Sequence, residues 1–296
     1  MQGVRNVLRL IPAAGILLFG ILLSGCASGV PEFQLYVQAY TSQHVHAEYV
    51  LDRVARAERI VVRRRLDLEN ADVDFDPDKA GYYLDTGDPP ITGSIRASLN
   101  SLNNYNAALG ALASGEKAEA IATRMGTLAS ALIGTAATLV QATGPATFIP
   151  SATKPLDEAI QAVNRALPLV KTVATYASRD AFRKQLIAAY PAMRQLLIAM
   201  RDATPAMYEI MRRSYVQRGS LESGSGISIA GSDLLLKDRE LLAGWVILMD
   251  KSVEAMDVSV KTAMTGASSD DLAALTAASL ELQVVARQIG DIRKKP

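Results

Sequence analysis

The sequence predicts an all-α fold, an elongated antiparallel bundle of long, kinked, heptad-patterned helices, and three observations carry that expectation. Hydrophobic residues make up 49% of the 296 residues but aromatic ones only 5%, so the apolar surface comes from Ala, Leu, Val, Ile and Met, which pack closely between helices. Apolar positions recur at alternating steps of three and four along most of the chain, and no stretch sustains the alternation of a strand. Clusters of Gly, Pro, Ser and Asp interrupt the pattern where turns are needed.

The first helix is expected from Phe33 to Leu68, roughly 55 Å long at 1.5 Å per residue. A joint from Asp76-Pro77 to Pro89-Pro90 separates it from a second helix, Thr92 to Ala113. The third, Glu116 to Gln141, carries a seam running from Ile121 through Met125, Leu128, Leu132 and Thr135 to Leu139 and Ala142. After Gly144-Pro145 to Pro155, the fourth is expected from Leu156 to Ala177 on Leu156, Ile160, Val163, Leu167 and Val170. The fifth runs from Arg179 to Gln217, its seam spaced without a miss from Phe182 to Ile210. Pro168, Pro191 and Pro205 fall off the seams and read as kinks, although Thr204-Pro205 also fits an N-cap followed by a first-turn proline. A Gly/Ser-rich connection, Gly219 to Gly231, precedes a sixth helix from Leu234 to Met264 with Ser232 or Asp233 as its cap, and a turn at Gly266 to Ser269 leads to a seventh, Asp270 to Asp291.

Ahead of this body, Arg5 and Arg9 form a basic region, and Leu10 to Leu23 is apolar but shorter than the roughly 20 residues a spanning helix needs. That is the pattern of a secretory signal peptide. Its end, Leu23-Ser24-Gly25-Cys26, resembles the lipobox of bacterial lipoproteins, and the resemblance covers residues 1 to 26 only. It implies cleavage between Gly25 and Cys26, a diacylglyceryl group on the Cys26 thiol and an acylated (palmitate-type) new amino terminus. Two or three acyl chains give stable anchoring where one is marginal. Ala27, rather than Asp, follows the cysteine, which resembles cargo sorted to the outer membrane and facing the periplasm.

The expected organisation is therefore a signal peptide at 1 to 25, a lipidated tether at 26 to 32, and one helical-bundle domain at 33 to 296. The tether spans roughly 20 Å when extended, which keeps the folded body close to the membrane surface. Removing the signal leaves 29 basic against 30 acidic groups, and this balance excludes nucleic-acid binding driven by bulk charge. The single cysteine excludes an internal disulfide framework and a Cys-based structural zinc site.

Signatures of catalysis are absent from the sequence. The stretch Gly110 to Lys117 has the glycine spacing of a phosphate-binding loop, but Glu116 stands where Lys is required and no strand precedes it, so a helix–helix turn is expected. No nucleophile-elbow motif occurs, and His44 and His46 are the only histidines available as bases. Those two point to different helix faces; His44, Glu48 and Asp52 share one, but no second helix supplies matching ligands, so a solvated face is favoured over a metal site. Asp74, Asp76, Asp78 and Asp85 faintly follow calcium-loop spacing, with Lys79 where the turn glycine belongs, and an acidic solvated loop is favoured.

Arg53, Arg56, Arg59 and Arg63, joined by Arg64 and Arg65, form a stripe suited to anionic headgroups. A mixed charged face, with Asp52 paired to Arg56 and Arg65 to Glu69, is the preferred reading. Met193, Met200 and Met207 with Met211 coincide with the core seam and read as buried. From Met125 to Thr153 no residue is charged, and Gly126, Ser130, Gly134 and Thr138 lie four apart, which suits close helix approach. Burial at the centre of the bundle is favoured there over membrane insertion.

The sequence thus points to a lipid-anchored bundle of the bacterial envelope with a structural or protein-interaction role and no enzymatic one. The alternative is a membrane-perturbing protein that inserts the helix near residues 125 to 141. Cys26 is the one residue assigned a role, with no catalytic residue, metal or cofactor; the partners expected are the membrane through Cys26, an envelope protein and a further copy of the chain, and no nucleic acid.

Overall fold

A computed structural model describes residues 30–69, 77–85, 87–142, 149–171, 178–223, 229–265 and 268–294. Among them every regular element is helical: α1 Val30–Glu69, a 3-10 turn Pro77–Tyr82, α2 Pro90–Ala113, α3 Ala118–Ala142, α4 Pro150–Lys171, α5 Arg179–Asp202, α6 Thr204–Ser223, α7 Ile229–Thr265 and α8 Ser269–Lys294. The all-α bundle expected from the periodicity is the observed architecture. Neighbours in sequence pack side by side, α2 on α3, α3 on α4, α4 on α5 and α7 on α8, and α8 closes back against α1. The 40-residue α1 also touches α2, α6 and α7.

The three/four spacing locates the core well. Every seam residue named in α3 is buried, as is the whole series from Phe182 to Ile210 across α5 and α6. The methionines at 193, 200, 207 and 211 are among them, exposed by 2% at most. In α4 the inner face is rotated from expectation: Ala159, Ala162 and Ala166 are buried while Ile160 and Leu167 sit at the flank. Small alanines let α4 approach its neighbours, so close packing outweighs the larger side chains there.

Polar anchors cross-link the core. Tyr36 donates to Asn106 Oδ1 (2.6 Å), Tyr105 to the Leu186 carbonyl (2.9 Å), Trp245 Nε1 to the Met200 carbonyl (3.2 Å), and Tyr40 to the Ser252 carbonyl. Gly110 lets α1 and α2 approach closely; a Cβ there would overlap Val37, whose branched side chain has little rotamer freedom to yield.

The turn between α2 and α3 explains the glycine spacing that mimics a phosphate loop. Gly115 has φ 80°, Glu116 N bonds to the Ala111 carbonyl and Gly115 N to that of Leu112, the paired hydrogen bonds of a Schellman cap. Several helix boundaries differ from expectation: α4 starts at Pro150, six residues ahead of Leu156 and with Pro155 inside it, and α6 continues to Ser223, into the expected Gly/Ser-rich connection. The fifth expected helix divides at Ala203, because Pro205 has no N–H for the Arg201 carbonyl; the Thr204 hydroxyl donates to that carbonyl instead (2.5 Å). The helix expected from Leu234 starts a turn earlier, at Ile229, so Ser232 and Asp233 lie inside it and do not cap it. Pro191 stays within a continuous helix.

Candidate functional site

Cys26 and the signal segment lie outside the described residues. What the fold adds is the position of the neighbouring elements. Three residues separate Cys26 from Val30, the first residue of α1. Because Val37 packs against Gly110, the α2–α3 turn lies at the same end of the bundle as the start of α1, and α3 runs away from that end.

The part of the uncharged segment that lies in α3 is not enclosed, which corrects the expectation of a central helix. α3 packs mainly on α2 and α4, at the edge of the bundle, and only its seam is buried. Its opposite face exposes Gly126, Ser130, Gly134 and Ala137, flanked by Ile133 (48% exposed) and Val140 (64%). A Cβ built on Gly126 or Gly134 meets nothing within 4 Å, so the small-residue pattern mediates no packing within the described chain. A period of 3.6 still buries one stripe, but threonines, serine and alanines on the other side leave an outer surface that is neither charged nor strongly apolar. Ala118–Ala142 is the one described helix long and apolar enough to cross a membrane by length and composition. Residues 143–148 of the uncharged segment lie outside the described residues.

The arginine stripe of α1 is largely consumed internally. Arg53 reaches Asp238 Oδ1 (2.5 Å) and Tyr215 Oη (3.2 Å), and Tyr215 donates to Asp238 Oδ2 (2.7 Å); Asp238 is 2% exposed. Burial together with the Asp238 hydrogen bond pushes the Tyr215 hydroxyl up to about 12. Arg59, also buried, donates to the Gly81 and Gly87 carbonyls, and Arg63 to that of Tyr82, so both hold the connection that leads into α2. Arg56 and Arg64 are exposed. The mixed charged face is present with different partners: Asp52 pairs with Arg96 (2.9 Å) and not with Arg56, while the Glu69 side chain lies outside the described ones.

Arg96 also gathers Glu48 and Asp88 (2.7 Å), and His44 lies 3.6 Å from Glu48. Burial, then the Arg96 charge, lowers the His44 pKa, so the imidazole favours its neutral form. Glu48 and Asp52 are thereby engaged by a guanidinium, and among the described residues no three His, Cys, Asp or Glu side chains converge to hold a metal. His46 turns the other way and packs over Gly290, where a Cβ would come within 2.7 Å of its ring. Asp72, Asp74 and Asp76 lie outside the described residues, as does the Asp78 side chain; Asp85, the twelfth position of the calcium-like spacing, sits 3.5 Å from Arg59.

One buried carboxylate was not legible in the sequence. Glu58, 1% exposed, accepts from Ile91 N (3.0 Å) and Thr92 N (2.9 Å) and shares a hydrogen bond with the Thr92 hydroxyl (2.8 Å). It thereby caps α2, whose own N-cap residue is Pro89 and offers no side-chain acceptor. Burial raises its pKa to about 7 against the opposing effect of these donors and of Arg59. No signal in the sequence could have found this pair, because Glu58 and Ile91 are 33 positions apart.

Comparison with family models, with curated proteins and with solved structures finds no match to this chain.

Proposed function

We propose that this is a lipid-anchored helical-bundle protein of the bacterial envelope, tethered by acyl chains on Cys26, with a structural or protein-interaction role rather than a catalytic one. The single observation that carries the reading is the coincidence of a basic start, an apolar stretch and Leu23-Ser24-Gly25-Cys26. The start of α1 supports it: four residue steps from Cys26 to Val30 reach only about 15 Å, which would hold the bundle against the bilayer at its amino-terminal end. Cys26→Ala is expected to abolish acyl labelling and release the protein from membranes. Acylation that persists in this variant rejects the anchor.

The surface best suited to contact a partner is the outer face of α3, where no charge has to be desolvated over residues 125 to 141. The same exposure favours a second reading, in which α3 perturbs or enters the bilayer. A photoreactive residue at Ala137, exposed on that face, separates the two in cells. Protein adducts are expected for an interaction role, and phospholipid adducts for insertion. Gly134→Asp puts a charge where a side chain meets open space, so the fold is expected to stay intact. If α3 inserts, this variant loses dye leakage from liposomes that the wild-type protein causes; if wild type causes none, insertion is rejected.

A further inference from the structure

A groove of about 780 Å³ opens where the start of α4, the α5–α6 break and the middle of α7 meet, within the range typical of small-ligand sites. Its shape follows from the sequence. Pro150 opens α4, Pro155 follows in the next turn, and Pro205 lies just past the break at Ala203, so the walls are lined by proline rings that offer no N–H. Leu242 and Val246 of α7 supply an apolar floor.

The groove has one cation without an ion-pair partner among the described residues. It is lined by Lys154, Arg201 and Arg239 against Glu158 and Asp202. Arg201 is committed to two aspartates, Asp202 (3.0 Å) and Asp250 (2.7 Å), and Lys154 lies 3.8 Å from Glu158 one turn away. Arg239 differs from both. Its Nε donates to the Tyr208 hydroxyl (2.9 Å) and its guanidinium carbon stands 5.3 Å from the centre of the Tyr208 ring, while no carboxylate among the described residues pairs with it. The ring orients the guanidinium and the hydroxyl occupies Nε, which leaves the two terminal nitrogens to donate in parallel.

We propose that this groove binds a small amphipathic monocarboxylate, its head on Arg239 and its apolar tail on Pro155, Pro205, Leu242 and Val246. One uncommitted cation matches one negative charge, and a forked donor matches the two oxygens of a carboxylate. The tail gains by leaving water against proline rings and aliphatic side chains, which make no hydrogen-bonding demand on it. The site is independent of the lipid anchor and of the outer face of α3.

The chain carries its own reporter. Trp245, the only tryptophan, lies in α7 between Leu242 and Val246 and bonds to the carbonyl of Met200, next to Arg201. The test titrates octanoate into the full chain reconstituted in phosphatidylcholine vesicles, with empty vesicles as blank, and follows calorimetric heat and Trp245 emission. Saturable binding is expected, at least ten-fold weaker for the uncharged isostere octanamide and at least ten-fold weaker in Arg239→Gln, with partial recovery in Arg239→Lys. The Arg239→Gln protein should keep the wild-type helical content and the unliganded Trp245 spectrum. No octanoate heat above empty vesicles overturns the proposal, as does equal affinity for octanamide or for Arg239→Gln.

Discussion

Arg53→Met should destabilise the protein by about 3 to 5 kcal/mol, the usual cost of removing one partner from a buried ion pair. Arg53 is the cation that neutralises Asp238, which is 2% exposed and, among the described residues, otherwise held by the Tyr215 hydroxyl alone. Without Arg53 the carboxylate must stay buried and unpaired, take up a proton, or open the junction of α1 with α6 and α7 to water. Arg56→Met, one turn along the same helix, is the control, because Arg56 is exposed and its loss should fall within about 0.5 kcal/mol. Urea unfolding followed by circular dichroism measures both. Equal, small effects would mean that the arginines of α1 act as a surface stripe, and would restore the headgroup reading that the buried geometry now disfavours.

The second large effect is a pH dependence centred on Glu58. Its folded pKa, about 7, lies above the ordinary 4.5, chiefly because burial penalises the charge. For a carboxyl group raised in this way the folded state holds its proton more tightly than the unfolded chain does. Its contribution is therefore greatest below about pH 4.5, falls as the pH rises towards 7, and is constant above that. A shift of that size corresponds to roughly 3 kcal/mol across the window. His44, whose pKa is lowered, acts in the opposite sense as the pH falls through its ordinary range near 6.5, so the wild-type curve alone mixes the two.

The difference between wild type and Glu58→Gln isolates the carboxyl group. Protonated Glu58 can still accept from both backbone N–H groups while donating to the Thr92 hydroxyl; the glutamine amide has only one oxygen and leaves one of these donors unmet. Glu58→Gln should thus be less stable than wild type at pH 5 by about 1 to 3 kcal/mol, the cost of an unsatisfied buried donor. The gap should narrow or reverse by pH 8, where the wild-type carboxylate bears its charge in a dry site. A gap that stays constant from pH 5 to 8 would show that Glu58 is ionised throughout.

Which residues share a face was readable from the chain, because helical geometry links i, i+3, i+4 and i+7 whatever surrounds them. The seam from Phe182 to Ile210 and that from Ile121 to Ala142 are buried as their spacing requires. Local turn chemistry was readable for the same reason: the Gly115 turn and the first-turn position of Pro205 depend on neighbours in sequence. The spacing of α3 could not say how many sides of the helix are covered. A helix lined with small uncharged residues satisfies its own backbone whether enclosed or at an edge, and only the placement of α2 and α4 on one side decides that Gly126 and Gly134 face outward.

The sequence by itself determined the all-α class and the core stripe of the long helices. Each rests on interactions within a few residues. The tertiary structure alone decided which charges are structural: Arg53 with Asp238, Arg96 with Asp88, and Glu58 at the head of α2. It also placed Arg239 on a proline-walled groove, held by Tyr208 and paired with no carboxylate among the described residues. Charged side chains are long and soluble, so periodicity places them on a face without naming a partner. The partner is set when distant helices meet and the cost of burying a charge must be offset by whatever lies opposite.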